Sequence, residues 1–382
     1  MLYRKYGKTK EMVSALGFGC MRLPIIGGDP TNIDEGKAIH MIRYAIDAGV
    51  NYVDTAYPYH GTGFAQGGAG EPFVAKALKA GYRERVKLAT KLPSWLIKTR
   101  ADMDKYLNEQ LARLETDVID FYLVHSLNKE VWPGLKEAGI DEFLTQALKD
   151  GRISYAGFSF HDQIGLFKEI VDYYDWSFCQ IQYNYLDEDF QAGKEGLEYA
   201  AQRGLGIAVM EPLRGGNLVR LPAEASAIIE RAGVKRTAAE LGLRWVWNHP
   251  EVSVVLSGMT TIDHVTENLR VAREAEAGSL TAAETAVIAA IKQLFNERIK
   301  VNCSACSYCM PCPAGINIPA CFTAYNNYWV FDGTPDAKRS YKFLVRTAAP
   351  ASECLECGRC ESHCPQGIAI REELKQVKAL FE

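Results

Sequence analysis

The sequence predicts an α/β chain: a closed (β/α)8 barrel followed by a small cysteine-rich domain. Eight short apolar runs alternate with amphipathic helical segments almost to residue 300, and runs apolar on both faces joined by helices mean parallel strands. No G-x-G-x-x-G follows an early strand, so an open doubly wound sheet lacks its usual fingerprint and closure is favoured. Cysteine usage supplies the second domain. Of eleven cysteines, only Cys20 and Cys179 precede residue 300, and nine crowd between Cys303 and Cys364. The 382 residues exceed an ordinary domain of about 100 to 200, whereas one α/β barrel runs to about 250 or more. The expected division is a barrel over residues 1–300 and a second domain over 301–382.

Strands are expected at LGFGC (16–20), NYVD (51–54), VKLAT (86–90), IDFYLV (119–124), ISYAG (153–157), FCQIQ (178–182), LGIAV (205–209) and VSVVL (252–256). Helical patterns fill the intervals. In IDEGKAIHMIRYAIDAG, Ile39, Ile42, Tyr44 and Ile46 recur at helical spacing and Gly49 suits a C-cap. TRADMDKYLNEQLARL, FLTQALKDG and AAELGLRWVWNHP follow the same pattern, the last stopped by Pro250. The Gly-rich GTGFAQGGAGEP (61–72) lacks the Lys-Ser or Lys-Thr of a phosphate loop and is expected to be a mobile active-site loop. After TAAETAVIAAIKQLFNERIK (281–300) the alternation stops.

With 48% hydrophobic and 24% charged residues, the composition is that of a soluble globular protein. A net charge of −4 without a basic run gives nucleic acid or an anionic membrane nothing to hold. The start, MLYRKYGKTKEM, has no apolar leader, and eighteen consecutive apolar residues occur nowhere; the expectation is a cytoplasmic protein.

In a parallel barrel the reactive groups sit at the C-terminal strand ends. The second expected strand ends in Asp54, with Tyr59 five residues on; the third is followed by Lys91 and the fourth by His125. Singly, each suits a bland role: an N-cap, a solvated charge, a wet hydroxyl, a loop imidazole. At three consecutive strand exits they define a proton-transfer site. A carbonyl that receives a hydride becomes an oxyanion needing a proton, which a phenol can donate if a neighbouring ammonium lowers its pKa. Tyr59 and Lys91 would fill these roles. Asp54 would hold Lys91 charged, and His125 would hydrogen-bond the substrate oxygen.

NYVDTAYPYHG, LATKLP, DFYLVHS, GRISYAGFS, QIQYN and VMEPLRGGNL resemble the successive motifs of the aldo/keto reductase family, over residues 1 to about 300. The resemblance implies a (β/α)8 TIM barrel using NADPH, or NADH, with a catalytic tetrad on Asp54, Tyr59, Lys91 and His125. It also implies that Ser159 and Gln180 bond the nicotinamide carboxamide. GGNL and SGMTTIDHVTENL would hold the pyrophosphate and adenosine ends, through Gly216, Leu218, Gly258, His264, Glu267 and Asn268. Met210 stands where many relatives place an aromatic residue on the nicotinamide, and Gly258 and His264 where many place Lys and Arg around the 2'-phosphate. The choice between NADP and NAD stays open.

The tail CLECGRCESHCP is C-x2-C-x2-C-x3-C-P, the bacterial ferredoxin arrangement for a 4Fe-4S cluster, whereas zinc sites show two separated pairs. Upstream, CSACSYCMPCP is one residue shorter at its last step and resembles the first half of a two-cluster ferredoxin. The tail is therefore expected to be a ferredoxin-like iron-sulfur domain. Crossed ligation would group Cys303, Cys306 and Cys309 with Cys364, and Cys354, Cys357 and Cys360 with Cys312. Cys321 is a buried residue or a substitute for Cys312.

The sequence thus points to NAD(P)H-dependent reduction of a small carbonyl, or oxidation of an alcohol, with two 4Fe-4S clusters that either staple the domain or pass electrons to a protein partner. Nicotinamide does not readily take single electrons, so electron transfer would need a converter such as a flavin, for which no motif is visible. Two other readings stand beside it. One is an electron-transfer or redox-sensing protein whose barrel is a docking module; the other is non-redox acid-base chemistry by Tyr59 and His125.

Overall fold

The computed structural model describes residues 1–382. Its contacts divide the chain into two compact units, Met1–Val219 with Thr237–Thr281, and Arg220–Arg236 with Ala282–Glu382. The first is the barrel. An antiparallel hairpin of β1 (Tyr3–Lys5) and β2 (Met12–Ser14) precedes eight parallel strands: β3 (Leu16–Gly19), β4 (Tyr52–Asp54), β5 (Lys87–Leu92), β6 (Ile119–Leu127), β7 (Ile153–Phe160), β8 (Phe178–Gln182), β9 (Gly206–Met210) and β10 (Val254–Ser257). They close in the order β10-β3-β4-β5-β6-β7-β8-β9. All eight expected runs take part. β5, β6 and β7 run past their expected ends, β5 through Lys91, β6 through His125 and β7 to Phe160.

The hairpin leads into Tyr6, which plugs the N-terminal end of the barrel. Its ring lies 5.8, 4.8 and 5.4 Å from those of Tyr52, Phe121 and Phe178, joined in one buried cluster by Val254 and Leu256. The fit requires glycine at the start of β9, because a Cβ on Gly206 would stand 2.4 Å from the Tyr6 ring. With that end filled, the site belongs at the other.

Helices coat the barrel. Glu35–Asp47, capped by Asp34, buries Ala38, Met41, Ile42, Ala45 and Ile46, whereas Tyr44 of the expected stripe is 42% exposed. Arg100–Arg113 opens with a capping box of Thr99 and Asp102, and Ala238–Trp247 with Thr237, whose hydroxyl accepts from the Glu240 amide. No helix is long and apolar enough to cross a membrane.

The second unit is helical. Ala282–Glu297 buries Val287, Ile288, Ile291 and Phe295 and packs on Ala223–Arg231, with the Phe295 and Phe331 rings 5.3 Å apart. Around the cysteines stand Ile318–Val330, Pro335–Leu344, the short Arg359–Ser362 and Ile370–Phe381. Two of these repeat a pattern that the sequence reading missed. CPAGINI (312–318) and CPQGIAI (364–370) share C-P-x-G-I-x-I, and each ends on the isoleucine that opens the helices Ile318–Val330 and Ile370–Phe381. Both isoleucines are buried in the core of this unit.

Candidate active site

Strand β4 carries Asp54 at its end and β5 carries Lys91, paired through the register Asp54↔Ala89. Their side chains meet over the barrel mouth. Lys91 Nζ donates to Asp54 Oδ1 at 2.7 Å, Asp54 Oδ2 at 2.8 Å and the Thr55 carbonyl at 2.7 Å. It also lies 3.5 Å from the Tyr59 hydroxyl and 5.0 Å from the Tyr59 ring centre. Lys91 is fully buried. Burial alone would lower its pKa, but Asp54 and Tyr59 overcome that and raise it, so the ammonium persists. Burial also pushes the Tyr59 phenol above its ordinary pKa, with Lys91 pulling it down and Asp54 pushing it up. Tyr59 is therefore a protonated donor beside a fixed cation.

His125 completes the group, its ring 6.2 Å from that of Tyr59. Burial, then the charge of Lys91, then His161 hold its pKa well below the ordinary value, so it is neutral at physiological pH. Its Nδ1 is buried without a hydrogen-bond partner, a cost usually tolerated where a ligand supplies the partner. Trp95 packs against His125 at 5.1 Å and edge-on against Phe64 at 5.8 Å. Its indole N–H donates to the Phe64 carbonyl at 2.8 Å. Sequence reasoning missed this aromatic wall, because neither residue lies on a strand end.

The nicotinamide bed can be tested for fit on the polar atoms it leaves open. Ser159 and Gln180 lie near the C-terminal ends of the neighbouring strands β7 and β8, paired in register. The Ser126 amide donates to Ser159 Oγ at 2.7 Å, leaving its hydroxyl hydrogen available. Gln180 Nε2 lies 3.4 Å from the Met210 sulfur, while Gln180 Oε1 is buried without a partner. A free acceptor and a free donor side by side fit a carboxamide, which brings both complements.

Beyond Met210, Leu218 is fully buried, and Gly216 lies in the loop at a φ of 96°. Across the mouth, Asn268 Nδ2 donates to Ser257 Oγ at 2.9 Å inside the structure. Glu267 accepts from the Thr237 hydroxyl at 2.6 Å, and His264 Nδ1 lies 3.2 Å from the Thr260 hydroxyl. Arg22, a side chain the sequence reading passed over, runs beside both glycine-bearing loops: a Cβ on Gly258 would stand 3.1 Å from its Cδ, and one on Gly215 3.2 Å from its Nη2. Its signal was composition alone, a cation just past β3.

Eight of the nine cysteines of the second unit line two cavities. Cys303, Cys306, Cys309 and Cys364 share the first with Ile318, Pro319, Phe322 and Ile370; Cys312, Cys354, Cys357 and Cys360 share the second with Leu355 and Leu374. Every cysteine is a free thiol. Four thiols in an apolar wall fit an iron-sulfur cluster. Cys321 is fully buried and lines neither cavity.

Comparison with known proteins finds two families along the chain. The model of the aldo/keto reductase family matches residues 15–292, and that of a 4Fe-4S dicluster domain matches residues 302–369. The chain is 30% identical over 282 residues to 6-dehydroglucose reductase of Novosphingobium aromaticivorans, covering 69% of this chain and 88% of that one. It is 28% identical over 300 residues to the probable aldo-keto reductase 1 of Glycine max, at 69% and 82% coverage. Among solved structures, the holo form of aldo-keto reductase AKR11C1 from Bacillus halodurans superposes with a TM-score of 0.60 at 29% identity, covering 76% of this chain and 96% of that one.

Proposed function

The chain belongs to the aldo/keto reductase family and is an oxidoreductase with a 4Fe-4S domain, and from that premise we propose that its barrel reduces a small carbonyl compound, or oxidises the matching alcohol. The observation that carries the proposal is the buried Lys91 ammonium held between the Asp54 carboxylate and the Tyr59 phenol. A nicotinamide cofactor, NADPH or NADH, supplies the hydride when bound. The residues of the chain do the rest. Tyr59 gives its proton to the substrate oxygen as negative charge gathers there, and takes it back in the reverse direction. Lys91 faces the oxygen that Tyr59 leaves charged, and Asp54 keeps Lys91 ionised and aimed. Neutral His125 hydrogen-bonds the same substrate oxygen and fixes its approach.

Ser159 and Gln180 would hold the carboxamide, with Met210 against the ring. Gly216, Leu218 and Arg22 would serve the pyrophosphate, and Gly258, His264, Glu267 and Asn268 the adenosine end. Support for this bed is the unpartnered Gln180 oxygen and the Arg22 side chain beside both glycine loops.

In the same reading residues 1–300 perform hydride chemistry and residues 301–382 hold two 4Fe-4S clusters, one per thiol cavity, that exchange single electrons with a protein partner. A flavin or a redox-active substrate is the class of converter this exchange requires. A cytoplasmic location suits this reading, because a reducing compartment leaves cysteines to clusters rather than to disulfides.

Tyr59→Phe tests the core of the proposal. It should leave nucleotide binding intact, read by quenching of protein fluorescence, while kcat falls about 10²- to 10⁴-fold, the range for loss of a general acid. Unchanged turnover rejects the assignment.

A further inference from the structure

We infer that Glu71, which has no place in the reaction itself, is a positioning residue that fastens both Tyr59 and Lys91 and thereby sets the gap between proton donor and ammonium. The inference rests on Tyr59 being that donor. Glu71 lies in the first turn of the helix Gly70–Ala77, and its side chain is wholly buried. A buried carboxylate is tolerated where donors surround it, and here three side chains do.

Two arms leave this carboxylate. Toward Lys91, Gln110 Nε2 lies 2.7 Å from Glu71 Oε1 and 3.0 Å from the Lys91 carbonyl. The hydroxyl of Thr90, the residue before Lys91, donates to the same oxygen at 2.7 Å. Toward Tyr59, Arg113 Nε donates to Glu71 Oε2 at 2.8 Å while its Nη2 donates to the Gly68 carbonyl. The stretch so gripped lies along the Tyr59 backbone: the Gly68 amide donates to the Tyr57 carbonyl at 2.8 Å, Ala69 to His60 at 3.0 Å and Gly70 to Tyr59 at 3.0 Å. A Cβ on Gly68 would sit 2.1 Å from the Tyr59 carbonyl oxygen, so only glycine permits that approach. The 3.5 Å between Lys91 Nζ and Tyr59 Oη is thus spanned by two backbone segments tied to one carboxylate.

The alternative is a buried ion pair that stabilises the barrel and nothing more. Glu71→Gln in the full chain separates the two. Positioning predicts a kcat about 10²-fold lower, the cost of roughly 1 Å of misplacement, with KM and nucleotide Kd unchanged. The alkaline limb of the kcat–pH profile should also move up, because a more distant ammonium no longer depresses the phenol pKa. A folded variant with wild-type kcat and pH profile, altered only in its Tm, overturns the inference. Should that variant fail to fold, Gln110→Met leaves Glu71 paired with Arg113 and with the Thr90 hydroxyl and removes only the Gln110 bridge to the Lys91 carbonyl. The same kcat loss and displaced limb are expected, and wild-type behaviour overturns the inference. Tyr59→Phe run alongside tells the failures apart: normal turnover there removes the donor reading, whatever Glu71 does.

Discussion

Lys91 is a charge the fold cannot hydrate, so its worth depends on its partner. Removing one side of a buried pair leaves the other uncompensated, at about 3–5 kcal/mol. Asp54→Asn should therefore lower the stability of the barrel by about that amount, seen in denaturant melts, and depress kcat as well. His125 gives a second residue-scale prediction. Its folded pKa lies below its unfolded value, so its contribution is intact above about pH 6.5 and is lost as pH falls and the unfolded chain takes the proton first. The slope is at most about 1.4 kcal/mol per pH unit. Wild type should lose more Tm than His125→Gln between pH 7.5 and pH 5.5, and equal losses would contradict the buried neutral ring. These residues were legible because parallel barrels place chemistry at strand ends. Arg22, Trp95 and Glu71 were not, because their roles come from side chains converging across loops, which no spacing encodes.

At the scale of elements, what was legible followed periodicity. Runs apolar on both faces announced all eight barrel strands, but a polar residue at the tip of such a run reads as its end, which is why Lys91 and His125 were placed just outside β5 and β6. The three-residue strands β1 and β2 are too short to show alternation at all. Within the Gly-rich segment, residues 68–70 are bonded to the Tyr59 loop; glycine at 68 serves close approach. The hairpin yields a prediction that separates stability from chemistry. Gly206→Ala drives a methyl into the Tyr6 ring, 2.4 Å from its nearest carbon, and overpacking of this kind costs about 1–3 kcal/mol. Its Tm should fall while kcat at 25 °C holds, because the strain sits at the end of the barrel opposite Asp54 and Lys91.

At the scale of the whole molecule, the two halves differ in how many electrons they handle. A hydride carries two, and the two 4Fe-4S clusters proposed above, each taking one electron, would match it. The C-P-x-G-I-x-I repeat supports the pair from the protein side: each copy delivers a cysteine and then a buried isoleucine, and each of those cysteines lines the cavity belonging to the other copy's three close cysteines. The shortened C-x2-C step before Cys312 does not keep Cys312 from the second cavity. Cys312→Ser should therefore disturb the cluster beside Cys354, Cys357 and Cys360 and spare the other. Anaerobic iron and sulfide counts then sort the thiols, with about four irons lost per chain in Cys306→Ser and again in Cys357→Ser, and none in Cys321→Ser. Loss of iron in Cys321→Ser with full retention in Cys312→Ser would hand the fourth position to Cys321 and break the symmetry between the two copies.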